Sequence, residues 1–218
     1  MNKIQTIFLD FDGIILESVE IKGWAFGELF KEYPRQREVI VSYHHANGGM
    51  PRFNKFRHIY KEILKEPLSD EKFQELCDRY SELVFDRVVD CDYVPGALEF
   101  LRKFFLRYAL FVISGTPDEE INRVVDAKDL RRYFTGVHGS PRPKGYWTGK
   151  ILQDRRLVPG ATLWVGDALS DLNAAREHGI KFIGRVVGQY HIFQNQNIDY
   201  EIKDLFDLDS LLSRSIKK

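Results

Sequence analysis

The stretch Thr6-Ile7-Phe8-Leu9-Asp10-Phe11-Asp12-Gly13-Ile14-Ile15-Leu16-Glu17-Ser18 decides how the rest of the chain is read. It opens on a short β-rich run with no apolar-polar alternation, the pattern of a strand covered on both faces, and such strands belong to parallel sheets. The run stops at two acids and a glycine, residues that suit a turn. A strand that ends on carboxylates places them where open parallel sheets bind ligands, beyond the carboxyl ends of their strands.

Working outward, similar runs recur at Ala109 to Ile113, Thr162 to Val165 and Lys181 to Ile183, each followed by a turn and a helical pattern. Helices are predicted at about Pro95 to Arg107, Pro117 to Ala127, Gly145 to Arg156 and Ser170 to His178, with Pro95 suited to a first turn and Gly179 to a C-terminal cap. This alternation predicts an α/β protein built on a parallel sheet. The interval from Glu17 to Tyr93 departs from it, because it reads as several amphipathic helices with no strong strand. Its longest helix starts at Ser69 and carries Phe73, Leu76, Leu83 and Val84 on one face. A helical insertion between the first and second strands is the simplest account. Gln189 to Ile198 reads as polar and irregular, and Ile202 to Leu212 as a final amphipathic helix.

The chain has 218 residues, with 32 Lys and Arg against 32 Asp and Glu. Such a balance gives no basic field for a phosphate backbone, so nucleic acid is not an expected partner. No apolar run approaches the roughly 20 residues that span a bilayer, and Gln5, Thr6 and Asp10 interrupt any signal-peptide core. A cytoplasmic protein without a membrane partner is expected. Cys77 and Cys91, the only two cysteines, are expected to be reduced structural thiols.

Four loops could carry chemistry: Asp10-Phe11-Asp12-Gly13, Ser114-Gly115-Thr116, Ser140-Pro141-Arg142-Pro143-Lys144 and Gly166-Asp167 with Asp171. Each alone is ordinary, as a turn, a helix cap or a solvated charge. Their placement at strand or helix ends changes that reading. If the loops converge, Asp10, Asp12, Asp167 and Asp171 crowd like charges that a hard divalent cation would relieve, with Mg²⁺ the natural choice. Ser114, the Gly115 N–H and Lys144 would then supply donors for a tetrahedral anion. Carboxylates, a divalent cation and an anion cradle point together to phosphoryl chemistry.

These four motifs, in this order, resemble those of the haloacid dehalogenase superfamily of hydrolases. The resemblance implies a Rossmann-like core, residues 1–16 and 94–218, with an α-helical cap over residues 17–93. It makes Asp10 the nucleophile, Asp12 the acid and base, and Ser114 and Lys144 the holders of the phosphoryl oxygens. Asp10, Asp12 (through its carbonyl), Asp167 and Asp171 would surround Mg²⁺. Lys144 matches the third motif better than its rival Lys150, which would fall inside the next helix. Glu17 departs from the family, whose phosphatases commonly carry Asp there. Asn47-Gly48-Gly49-Met50-Pro51-Arg52 looks like the substrate loop, with Arg52 placed to meet the non-reacting end of a substrate. His44, His45, Lys55 and Arg57 add local basic character, while Trp24 and Phe26 are expected in the cap core. The implied activity is Mg²⁺-dependent hydrolysis of a small phosphorylated metabolite, a sugar phosphate or a phosphorylated carboxylic acid. A phosphosugar mutase and a non-catalytic phosphometabolite-binding or regulatory module are the alternatives.

Overall fold

The computed structural model describes residues 3–188 and 192–214, so part of the Gln189 to Ile198 tract lies outside the described residues. Its centre is a six-stranded sheet, entirely parallel, in the order β3-β2-β1-β4-β5-β6. Strand β1 (Thr6–Leu9) is buried along its whole length, as its unbroken apolar character requires. It pairs with β2 (Ala109–Pro117) on one side and β4 (Thr162–Gly166) on the other, so Leu9 sits level with both Val112 and Val165. That register brings Asp10, Ser114 and Asp167 to one edge of the sheet. Strand β5 (Lys181–Arg185) continues it.

Strands β3 (Gly136–Ser140) and β6 (Tyr200–Ile202), at the two edges, are absent from the sequence reading. The first contains two glycines, a histidine and a serine, and the second has three residues, so neither carries the β-branched run that signals a strand. Neighbours define β3 instead: it pairs with β2, and the Gly139 N–H donates to the Asp118 carboxylate at 2.8 Å.

Between β1 and β2 the chain forms α1 (Val19–Leu29), α2 (Arg37–Ala46), α3 (Arg52–His58), which runs on as a π-helical turn over Ile59–Leu64, α4 (Asp70–Asp90) and α5 (Ala97–Phe104). Helix α4 begins as expected, with the Ser69 hydroxyl accepting from the Lys72 N–H at 3.1 Å. Its buried face is Leu76, Cys77, Tyr80, Val84 and Val88, a stripe at helical spacing that Phe73 and Leu83 flank. Phe26, Phe30, Phe56 and Tyr80 pack ring on ring beneath these helices. Trp24 does not join them: it is 40% exposed, with Arg87 over its ring at 4.1 Å. Leu16 bridges both Asp12 and Tyr93, so the outgoing and returning chain run side by side at the base of this helical segment.

The remaining helices are α6 (Asp118–Ala127), α7 (Lys144–Arg155), α8 (Leu169–Glu177) and α9 (Leu205–Arg214). Two apolar clusters cover the sheet, one continuous with the helical segment and the other around Phe8, Trp164 and Phe182. Cys77 and Cys91 are free thiols. No helix among the described residues is long and apolar enough to cross a membrane.

Candidate active site

Asp10 is the first residue past β1 and is 3% exposed. The Phe11 N–H donates to one of its carboxylate oxygens at 2.7 Å, and the Lys144 ammonium lies 2.7 Å from the other. Lys144 opens α7 and also reaches Asp171 at 2.6 Å. The second Asp171 oxygen accepts the Ala168 N–H at 3.1 Å, closing the first turn of α8. Lys150, one helical stretch further, pairs with Asp154 at the surface and lies away from this cluster.

Asp10, Asp167 and Asp171 each offer an oxygen within 4.8 Å of the other two. Burial raises the Asp10 pKa, with Lys144 opposing and Asp12 adding to the rise. Burial also lifts Asp167 well above the usual carboxylate range, helped by the charges of Asp10 and Asp171. Asp171 is pushed up to about 7, chiefly by burial. Lys144 responds in the opposite sense: burial would lower its pKa, but Asp10 and Asp171 more than reverse this and hold it above the ordinary lysine value. Three carboxylates around one ammonium leave an excess of negative charge that a divalent cation would neutralise. The donor set is oxygen only, and the Asp167 carboxylate accepts no hydrogen bond among the described residues, so it is available as a ligand. Such a set suits a hard cation.

Glycine at position 13 is required by this arrangement. Its φ is +74°, and a Cβ there would lie 2.1 Å from the Asp167 Oδ2. The turn after β1 therefore packs directly on the acid after β4.

Asp12 turns away from these three acids. Its carboxylate accepts from Ser18 Oγ at 2.6 Å, Thr116 Oγ1 at 3.0 Å and Ser114 Oγ at 3.4 Å, and it forms a short ion pair with Lys22. Burial works to raise its pKa, but Lys22 and the hydroxyl donors win, so Asp12 is held below the usual carboxylate value. Ser18 stands at the N-cap of α1 yet leaves the helix uncapped to serve Asp12. The Ser114 hydroxyl is buried and accepts the Thr116 N–H at 3.0 Å. Sequence reasoning missed Lys22 and Thr116. Lys22 lies four residues after Ser18, on one helix face, and Thr116 two after Ser114, so spacing carried a signal for both.

The helical segment closes over these residues. A Cβ at Gly115 would lie 2.5 Å from the Gly49 carbonyl oxygen, which leaves no room between the Asn47 to Pro51 loop and the end of β2. Beneath lies a cavity of about 170 Å³, lined by Asp10, Asp12 and Gly115 from one side and Lys22, Arg52 and Lys55 from the other. Arg52 is buried and ion-paired with Glu120 of α6, and it donates to Ser81 Oγ at 2.8 Å while lying 4.4 Å over the Tyr80 ring. Ser81 in turn donates to Glu120 at 2.7 Å. The guanidinium expected to meet a substrate thus already has a carboxylate partner. Glu17 also has a partner: Arg185 holds its two oxygens at 2.6 and 3.1 Å and donates to the Gly13 carbonyl at 2.8 Å.

A family model described as haloacid dehalogenase-like hydrolase matches residues 7–185. Among curated relatives, phosphoglycolate phosphatase of Pseudomonas putida is 24% identical over 94% of this chain and 78% of its own. The enzyme of the same name from Pasteurella multocida is 25% identical over 86% of this chain and 88% of its own. Among solved structures, a predicted phosphoglycolate phosphatase from Haemophilus somnus superposes with TM-score 0.77 at 17% identity, covering 97% of this chain and 99% of that one. YfnB from Bacillus subtilis, solved bound to magnesium, gives 0.71 at 17% identity, covering 97% and 99%. CbbY from Rhodobacter sphaeroides, solved with phosphate, gives 0.74 at 16% identity, covering 94% and 96%. The sheet order, the acids at its carboxyl edge and a family match running from β1 to the end of β5 agree, and this chain is an enzyme belonging to the haloacid dehalogenase-like hydrolases.

Proposed function

We propose that this chain is a metal-dependent phosphomonoesterase acting on a small phosphorylated metabolite. The observation that carries the reading is the buried Asp10 carboxylate, held by Lys144 beside Asp167 and Asp171 in a cavity that Asp10 and Asp167 line. Residues 1–16 and 94–218 serve as the catalytic core and residues 17–93 as its cap.

Asp10 is the nucleophile: its oxygen attacks phosphorus, the ester oxygen leaves, and an aspartyl phosphate forms. Lys144 and Ser114, with the Gly115 N–H, hold the phosphoryl oxygens and offset their charge. Asp12 delivers a proton to the leaving oxygen and then takes one from the water that hydrolyses the intermediate. The Lys22, Ser18 and Thr116 donors favour its carboxylate form, so Asp12 takes up a proton as the phosphate ester arrives, gives it to the leaving oxygen, and is left as the carboxylate that accepts the proton from water. Asp10, Asp167 and the Asp12 carbonyl would hold Mg²⁺, with Asp171 orienting Lys144 beside them. When bound, the cation neutralises the crowded carboxylates and polarises the phosphoryl group. Arg52 lines the substrate cavity with its charge balanced by Glu120. The cavity's small volume lies below the roughly 300 to 1,000 Å³ of sites for drug-sized ligands, which favours a compact substrate over a hexose passing through a mutase cycle.

Phosphate release from a panel of phosphorylated acids, sugars and nucleotides, with and without Mg²⁺, tests this reading. Metal-dependent release from the smallest members is expected. Transfer of label between positions of a sugar without release would replace the phosphatase with a mutase. Tight binding without release or transfer would leave a binding module.

A further inference from the structure

The cavity holds three cations besides the cluster around Lys144, and two of them are neutralised. Lys22 is paired with Asp12, and Arg52 with Glu120. Lys55 differs. It is 3% exposed, it lines the cavity, and no carboxylate among the described residues lies within ion-pair distance of it. Its contacts are with one residue: the His44 carbonyl at 3.1 Å and the His44 ring Nδ1 at 3.1 Å. A lysine ammonium has three donors, so these two acceptors leave one donor unused. The Phe26 ring lies 5.7 Å from the ammonium, and Met50 and Tyr80 line the same cavity. A buried ammonium without an ion-pair partner is costly in such a place, since the Asp12 carboxylate whose charge favours it is already paired with Lys22. His44 gives no counter-charge either, since burial and the charge of Lys55 keep its ring neutral.

We propose that Lys55 is the specificity-determining residue of this enzyme, receiving a carboxylate at the non-reacting end of a short phosphorylated acid. The proposal rests on the phosphatase reading above and sharpens it. A carboxylate supplies the missing counter-charge and accepts the unused hydrogen bond, which a neutral hydroxyl does only in part. The cavity of about 170 Å³ leaves space for a short carbon chain between phosphoryl group and carboxylate. Burial, reinforced by the charge of Lys22 and opposed by that of Asp12, draws the Lys55 pKa down to about 7, and an arriving carboxylate would restore its charge.

The test compares kcat/KM for a two-carbon phosphorylated acid and for the alcohol of the same length, in wild type, Lys55→Met and Arg52→Met. A charged hydrogen bond of ordinary strength corresponds to about 10- to 150-fold. The acid-to-alcohol preference should therefore fall by about that factor in Lys55→Met and change less than threefold in Arg52→Met. An unchanged preference in a folded Lys55→Met protein overturns the proposal, as does a collapse confined to Arg52→Met. Calorimetric binding of both compounds to Asp10→Asn, with and without Lys55→Met, keeps the proposal testable if no ester is turned over. Loss of affinity for the acid alone then supports Lys55 while the phosphatase reading fails. Equal affinities, or no binding of the acid, refute the role of Lys55.

Discussion

Removing Glu120 strands the Arg52 guanidinium, and the size of the effect follows from where the pair sits. The two side chains are 5% and 9% exposed, they come from α3 and α6, and Ser81 of α4 bonds to both. Screening by solvent is weak at such burial, and breaking a buried pair from one side costs about 3–5 kcal/mol. Arg52 can regain water only if the helical segment lifts from α6, so the loss is limited by the free energy of closure. Glu120→Ala should therefore destabilise the protein by about 3 kcal/mol, or about 6–12 °C in Tm at this chain length. Arg52→Met should cost a comparable amount, because it leaves a buried carboxylate, and the double variant should cost much less than the sum. Urea unfolding of the four proteins gives the coupling directly, and at least about 1.5 kcal/mol is expected for so close a pair. Additivity within about 0.5 kcal/mol would mean that the pair does not hold these helices together.

Asp167→Asn should raise the Mg²⁺ concentration for half-maximal activity by at least tenfold, and an unchanged titration would remove this residue from the metal site. Gly13→Ala places a methyl against Asp167 at a positive φ and should cost more than about 1 kcal/mol while weakening metal dependence similarly. A melting curve within 1 °C of wild type would contradict the packing described. Lys55→Met should stabilise the protein, because burial first and Lys22 second make the charged form unfavourable in the folded state. With the folded pKa near 7 and the unfolded one near 10.4, wild type loses this stability as pH falls from about 10 towards 7. The Tm gain of Lys55→Met should thus be largest at pH 6 to 7 and fade by pH 10; a gain independent of pH would show that Lys55 is not held in an unfavourable charged state.

Strand β1 and the acids after it were legible because every constraint on them is local: the run is buried on both faces, and the turn must follow. Lys144 was legible for the same reason, standing at the start of a helix behind Pro143. Edge strand β3 was not, since Gly136, His138 and Gly139 have no strand preference and acquire their conformation from β2 and α6. The expected role of Arg52 met a fact that no local pattern holds: Glu120 is 68 positions away and meets it where the folded chain brings α3 to α6. Lys55 looked like one basic residue among several, and only burial without a carboxylate partner among the described residues set it apart. Glu17 read as a departure from the family pattern; in the structure Arg185 holds both of its carboxylate oxygens.

The proposed chemistry requires Asp10 to carry the phosphoryl group. Metal-dependent phosphate release by wild type and by Asp10→Asn, on the best substrate of the panel and with melting curves matched, tests it most directly. Asp10→Asn should lose at least about a thousandfold in activity while still folding. Residual activity above that level in Asp10→Asn would contradict it, because an amide at position 10 cannot form the aspartyl phosphate through which the reaction is proposed to run.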